Sequence, residues 1–135
     1  MSREMTVLSD TVLITCIVQR GVADRVVRAA REAGAQGATV FFARGTGVRE
    51  RLGLLGIAVE VEKEVITIVV AAEQANRIFE KMYFAGDLDT PGMGILYMTV
   101  LDKAATYIPH EVVEQLAKKN KVRSTGPAKG TGVSP

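Results

Sequence analysis

Tryptophan is absent from this 135-residue chain, and aromatic residues make up only 5% of it. A core built with so few aromatics must be aliphatic, and the 47% hydrophobic content supplies one from Val, Ile, Leu and Ala. There is a single cysteine, Cys16, so no disulfide can close within the chain, and a reducing compartment is its natural setting. There is also a single histidine, His110, which together with one cysteine is too few ligands for a zinc site within one chain. An excess of one charge is missing too. Seventeen basic residues face fifteen acidic ones, a net +2, which gives no general pull toward nucleic acid. What excess there is falls late, at Lys118, Lys119, Lys121, Arg123 and Lys129. No apolar run approaches the ~18–20 residues of a membrane span, and the N-terminus lacks the pattern of a signal peptide. The expectation is a cytoplasmic protein that meets a membrane only through a partner. Signatures of a nucleophile elbow, a phosphate loop with Gly-Lys-Ser/Thr, or a zinc protease do not occur.

What is present is a regular alternation of elements. Residues 11–19 are apolar and β-branched on both alternating sets, Val12, Ile14, Cys16 and Val18 against Leu13, Thr15 and Ile17, which predicts a strand needing cover on both sides. Residues 22–33 place Val22, Val26, Ala30 and Ala33 on one stripe, a helix stopped by Gly34. A second strand follows over 38–44. A third alternates Val59 and Val61 with Glu60, Glu62 and Glu64, read as a solvated acidic face, and turns wholly apolar over 65–70. Ala75, Ile78, Phe79, Met82 and Tyr83 predict a second helix, 95–101 a fourth strand, and 110–121 a short amphipathic helix after Pro109. The order βαββαβ predicts an α+β, ferredoxin-like sandwich. Helices can cover one face of such a sheet, yet the strands are apolar on both, so copies of the same sheet are expected to cover the other.

Two glycine-rich segments are the candidates for function. The first closes Gly37-Ala-Thr-Val-Phe-Phe-Ala-Arg-Gly-Thr-Gly47, a strand running into a Gly-x-Gly turn flanked by Arg44, Arg49 and Arg51. Successive N–H groups in such a turn can nest an anion. The second is the Gly/Asp-rich stretch 86–94, where Asp87 and Asp89 alone do not make a metal site. Cys16 reads as a small buried hydrophobe and His110 as a helix-start residue.

The residues Glu32-Ala-Gly-Ala-Gln-Gly-Ala-Thr-Val40, Arg44-Gly-Thr-Gly47 and Pro91-Gly-Met-Gly-Ile-Leu-Tyr97, with the apolar third strand between, resemble the P-II signal-transduction family over roughly 11–108. The resemblance implies a non-enzymatic, trimeric regulator in nitrogen metabolism or transport. It would bind an adenine nucleotide or small anion at subunit clefts and act through a T-loop at about 47–57. The target would be a membrane transporter or a metabolic enzyme. The ligand-binding residues so implied are Gly37, Thr39, Arg44, Gly45, Thr46, Gly47 and Val48, with Gly92, Met93 and Gly94 contributed by a neighbour, and Lys103 as a further cation. Arg49, Glu50, Arg51, Leu52 and Leu54 would contact the target.

The chain departs from the family pattern in ways that bear on specificity. Ile95 stands where the family has a lysine after its glycine loop, and Thr106 and Ile108 stand where it has an Arg-x-Arg pair. Each lost phosphate contact is worth ~1.5–3 kcal/mol, so ADP, AMP or a cyclic nucleotide is expected ahead of ATP. Lys63 stands near the lysine that typically precedes the core of the third strand. No tyrosine lies between Gly47 and Val65 for nucleotidylation. The expected layout is a flexible N-terminus over 1–10, the P-II-like domain over 11–108, a helix over 109–122 and a disordered tail over 123–135. Two rivals are a trimeric metal- or ion-handling protein of similar fold, short of clustered ligands, and a slow nucleotide hydrolase, short of a base and nucleophile.

Overall fold

The computed structural model describes residues 3–46, 61–117 and 122–125. In chain order the elements are β1 (Met5–Leu8), β2 (Thr11–Gln19), α1 (Ala23–Glu32), β3 (Thr39–Gly45), β4 (Val61–Ala71), α2 (Ala72–Ala85), β5 (Gly94–Leu101), β6 (Ala104–Ala105), α3 (His110–Ala117) and β7 (Val122–Thr125). They form two compact units, Leu13–Thr99 and the combination of Met1–Val12 with Val100–Pro135.

The larger unit carries the four-stranded sheet, ordered β3-β4-β2-β5. The order of the βαββαβ strands, with the first and third at the centre, is that of the ferredoxin-like fold. β3 pairs antiparallel with β4, Phe41 opposite Val65 and Gly45 opposite Val61. Helices α1 and α2 pack on each other and on β4. The core between them and the sheet is aliphatic, as the composition requires. Ile14, Cys16 and Val18 of β2, Ile66 and Ile68 of β4, Val26 and Ala30 of α1, and Ile78 and Met82 of α2 are all buried. Each large side chain so buried stabilises by about 1.5–3 kcal/mol.

Both helices end in the same way. After α1, Gly34 takes φ +117, its N–H donates to Arg31 O at 3.0 Å, and the Ala35 N–H reaches Ala30 O at 2.9 Å. After α2, Asp87 takes the left-handed conformation at φ 53, donating to Phe84 O, while Leu88 donates to Tyr83 O, both at 3.1 Å. This paired pattern satisfies the last carbonyls of each helix. Gly34 is thus the stop the sequence suggests. Asp87 is a non-glycine stop, held by Arg25, whose Nη2 lies 3.0 Å from the Asp87 carboxylate while its Nε donates to Ala85 O at 2.7 Å.

The helix-facing side of β4 corrects one expectation. Glu64 is buried rather than solvated. It shares a face with Ile66 and Ile68, and Oε1 accepts the Gly21 N–H at 2.5 Å and the Ala23 N–H at 3.2 Å. Val22, the N-cap of α1, provides no side-chain cap, so a carboxylate from a distant strand caps the helix instead. Glu62, two residues earlier, is exposed as expected and pairs with Arg20 at 2.5 Å.

Neither α1 nor α2 covers the opposite face of this sheet. Alternation from Val65 places Val69, Phe41, Ile95 and Tyr97 there, each between 44% and 56% exposed. The strands are therefore apolar on both faces, as their sequence indicates.

The smaller unit departs from the sequence reading at both chain ends. Residues 5–8 form a strand rather than a loose start, and 122–125 form another where the end of the last helix and the start of the tail are expected. They pair antiparallel, Met5 opposite Thr125 and Leu8 opposite Val122, and β6 pairs along the other side of β1. Helix α3 begins at His110, whose Nε2 lies 3.1 Å from Glu114 one turn on.

Candidate functional site

On the face of the larger unit's sheet turned away from α1 and α2, the end of β3 meets the start of β5 across β4 and β2. A cavity of about 490 Å³ opens there, lined by Ile17, Ala43, Arg44, Gly45, Thr46, Lys63, Val65, Gly92, Gly94 and Ile95. Its volume falls in the usual range for small-molecule sites. Both glycine-rich segments found in the sequence border it, and both come from one chain. The expectation that Gly92 and Gly94 face the Arg44 turn of a neighbouring subunit concerns an assembly; within one chain the two segments already border the same cavity.

The fold shapes this site through close approach. Gly94 lies so near β2 that a side-chain carbon there would stand 2.2 Å from the Ile17 carbonyl oxygen. Its φ of +151 and that of Gly92, +81, suit glycine. Gln19, at the end of β2, donates from Nε2 to Gly92 O at 3.0 Å. Lys63 packs beside Gly45, where an added side-chain carbon would meet Lys63 Cγ at 3.7 Å, an ordinary contact. Lys63 is largely buried. Among the described lining residues, the ionisable ones are Arg44 and Lys63, both cationic. Lys63 stands opposite Ala43 and shares the face of Val65, whereas Arg44 stands opposite Glu62 and reaches the cavity from the edge of the sheet. An apolar floor bordered by two cationic residues favours an anion with a flat or apolar body. A second depression of about 390 Å³ adjoins it, lined by Arg20, Phe42, Ala43, Arg44 and Glu62.

The sequence-predicted residues divide. Arg44, Gly45, Thr46, Gly92 and Gly94 come together in the cavity. Met93 is half-buried and outside the lining, its N–H donating to Thr90 O at 3.3 Å. Gly37 and Thr39 are exposed near the opposite end of β3, roughly 20 Å from Gly45 at ~3.3 Å per residue. Lys103 belongs to the smaller unit. Gly47, Val48, Arg49, Glu50, Arg51, Leu52 and Leu54 lie outside the described residues. Lys63 was noted only through the resemblance. Its own signal was available: a lone cation on an odd-numbered face otherwise formed by Val59, Val61 and Val65. Gln19 carried no such signal.

Cys16 takes no part. Burial pushes its thiol up to about 12, so it stays protonated and unreactive near neutrality. Among the described residues, no helix is long and apolar enough to cross a membrane, and no group of three or more His, Cys, Asp and Glu is placed to hold a metal ion.

The geometry has relatives among solved structures. A crystal structure of Arabidopsis thaliana PII bound to citrate superposes with a TM-score of 0.56 at 21% identity, covering 70% of this chain and 79% of that one. At that identity the likeness speaks for the fold. No curated protein matches the chain significantly. The family model described as nitrogen regulatory protein P-II matches residues 11–111, which takes in all four strands of the main sheet, both its helices and the cavity. By that match the chain belongs to the P-II family of regulatory, signal-transducing proteins that bind small effectors.

Proposed function

We propose that the cavity between the Arg44–Thr46 turn and the Gly92–Gly94 loop binds an anionic effector, an adenine nucleotide with few phosphates such as ADP or AMP, or a cyclic nucleotide. The observation that carries this reading is the convergence of both glycine segments with Arg44 and Lys63 around one pocket. Two cations suit a shorter phosphate chain than the family's fuller set, consistent with Ile95, Thr106 and Ile108 in place of basic residues. The protein acts as a non-enzymatic cytoplasmic regulator, and Arg49, Glu50, Arg51, Leu52 and Leu54 contact its target, a membrane transporter or metabolic enzyme. The exposed Phe41, Val69, Ile95 and Tyr97 are covered by two further copies of the chain, giving a trimer. Gly37 and Thr39, remote from the cavity in their own chain, then approach a neighbour's.

Titration calorimetry with ADP, AMP, cyclic AMP and ATP tests the ligand. The expected result is micromolar binding of at least one nucleotide, weakened about 10- to 100-fold by Arg44→Ala and by Lys63→Ala. Absence of heat with all four, or an affinity indifferent to both substitutions, would refute it. Light scattering on the eluting protein tests the trimer, and a monodisperse monomer would overturn that part.

A further inference from the structure

The loop from Gly86 to Gly94 forms one wall of the cavity and is held at two places by polar side chains from elsewhere in the chain. At its start Arg25 grips Ala85 O and the Asp87 carboxylate. In its middle the backbone folds on itself, Thr90 N–H to Asp87 O at 2.9 Å and Met93 N–H to Thr90 O at 3.3 Å. At its end Gly94 seats against Ile17, and Gln19, two residues on and therefore on the same side of β2, donates to Gly92 O. This bond joins residues 73 positions apart and is partly buried.

We propose that Gln19 is a positioning residue for the effector site, an inference that rests on the reading of the cavity given above. Its carboxamide fixes the Gly92 peptide in the φ +81 conformation and so holds the glycine wall in shape before the effector arrives. Glycine is the residue that loses most freedom on being ordered, so a loop ending in Gly92 and Gly94 gains most from an external tether. Ordering the wall in advance lowers the cost of binding. Without the donor, Gly92 O is left partly buried and unpartnered, and the loop samples other shapes.

Two variants of the full chain test this, Gln19→Met, which keeps the length and removes the donor, and Gln19→Lys, which restores a donor of similar reach. The readouts are backbone amide exchange at Met93 and Gly94 without ligand, and the affinity for ADP. In Gln19→Met both exchange rates should rise about tenfold, exchange in β4 should stay as in the parent, and ADP should bind about tenfold more weakly. Gln19→Lys should recover both. Unchanged exchange in Gln19→Met would overturn the proposal whatever the nucleotide does. Faster exchange with undiminished ADP affinity would overturn it as well, since the loop would then be ordered without serving the site. If the parent protein takes up none of the four nucleotides, the nucleotide reading falls by itself, and the exchange measurement still decides whether Gln19 sets the loop.

Discussion

Glu64 offers the sharpest test of how this fold is held together, because one carboxylate oxygen receives two backbone donors at the start of α1. The Gly21 and Ala23 N–H groups approach Oε1 at 2.5 and 3.2 Å. Hydrogen bonds to a charged acceptor contribute about 1.5–3 kcal/mol each, and a negative charge at a helix N-terminus adds about 0.3–1 kcal/mol. Water reaching the vacated site returns part of this, so Glu64→Ala should cost about 3 kcal/mol. Glu64→Gln keeps an acceptor and loses the charge, and should cost about half as much. Glu62→Ala is the matched comparison. It removes an ion pair whose side chains are 67% and 54% exposed, and such pairs are worth under about 1 kcal/mol. Urea unfolding followed by circular dichroism, at one fixed protomer concentration, measures all three. Equal losses for Glu64→Ala and Glu62→Ala, within about 0.5 kcal/mol, would refute the capping argument.

Gly94→Ala should cost about 3 kcal/mol or more, or prevent folding, because its new carbon meets the Ile17 carbonyl, whereas Gly37→Ala, with open space around it, should stay within about 0.5 kcal/mol. Thermal melts of the two variants separate these outcomes, and equal melting temperatures would count against the close approach. Cys16 makes stability fall at high pH. Its thiol ionises near 9.0 when unfolded and near 12 when folded, so stability is intact below pH 9 and declines as pH rises toward 12, by up to about 4 kcal/mol. Cys16→Ala should flatten that part of the pH–stability curve, and a curve of unchanged slope would refute the assignment. Arg25→Met should lower stability by less than about 1 kcal/mol, since its pair with Asp87 is largely exposed, and a larger loss in urea unfolding would show the clamp to be structural.

The main sheet and its helices were legible because their signals are local. β-Branched runs mark β2 and β4, a 3.6-residue stripe marks α1 and α2, and Gly34 marks an end. The two glycine segments of the site could be read for the same reason. What escaped depends on distant partners. Glu64 belongs to a run of alternating glutamates that looks solvated, and its burial follows from where α1 begins, not from its neighbours in sequence. Gln19 looks like any polar strand end until Gly92 is placed beside it. β1 and β7 are four-residue strands with little apolar pattern, and each is a strand because of the other. That the Arg44 turn and the Gly92–Gly94 loop border one cavity within a single chain likewise follows from strand order, which composition does not encode.

The pairing of Met5 with Thr125 has a mechanical consequence. The two strands are antiparallel, and the pair nearest the outer ends of both is the first in the ladder. A force drawing the chain's two ends apart therefore loads that pair before the next, and the ladder opens in sequence from Met5 to Leu8. Bonds broken one at a time resist far less than the same bonds sheared together. Held by its ends in an optical trap, the protein should first lengthen by peeling β1 from β7 at low force.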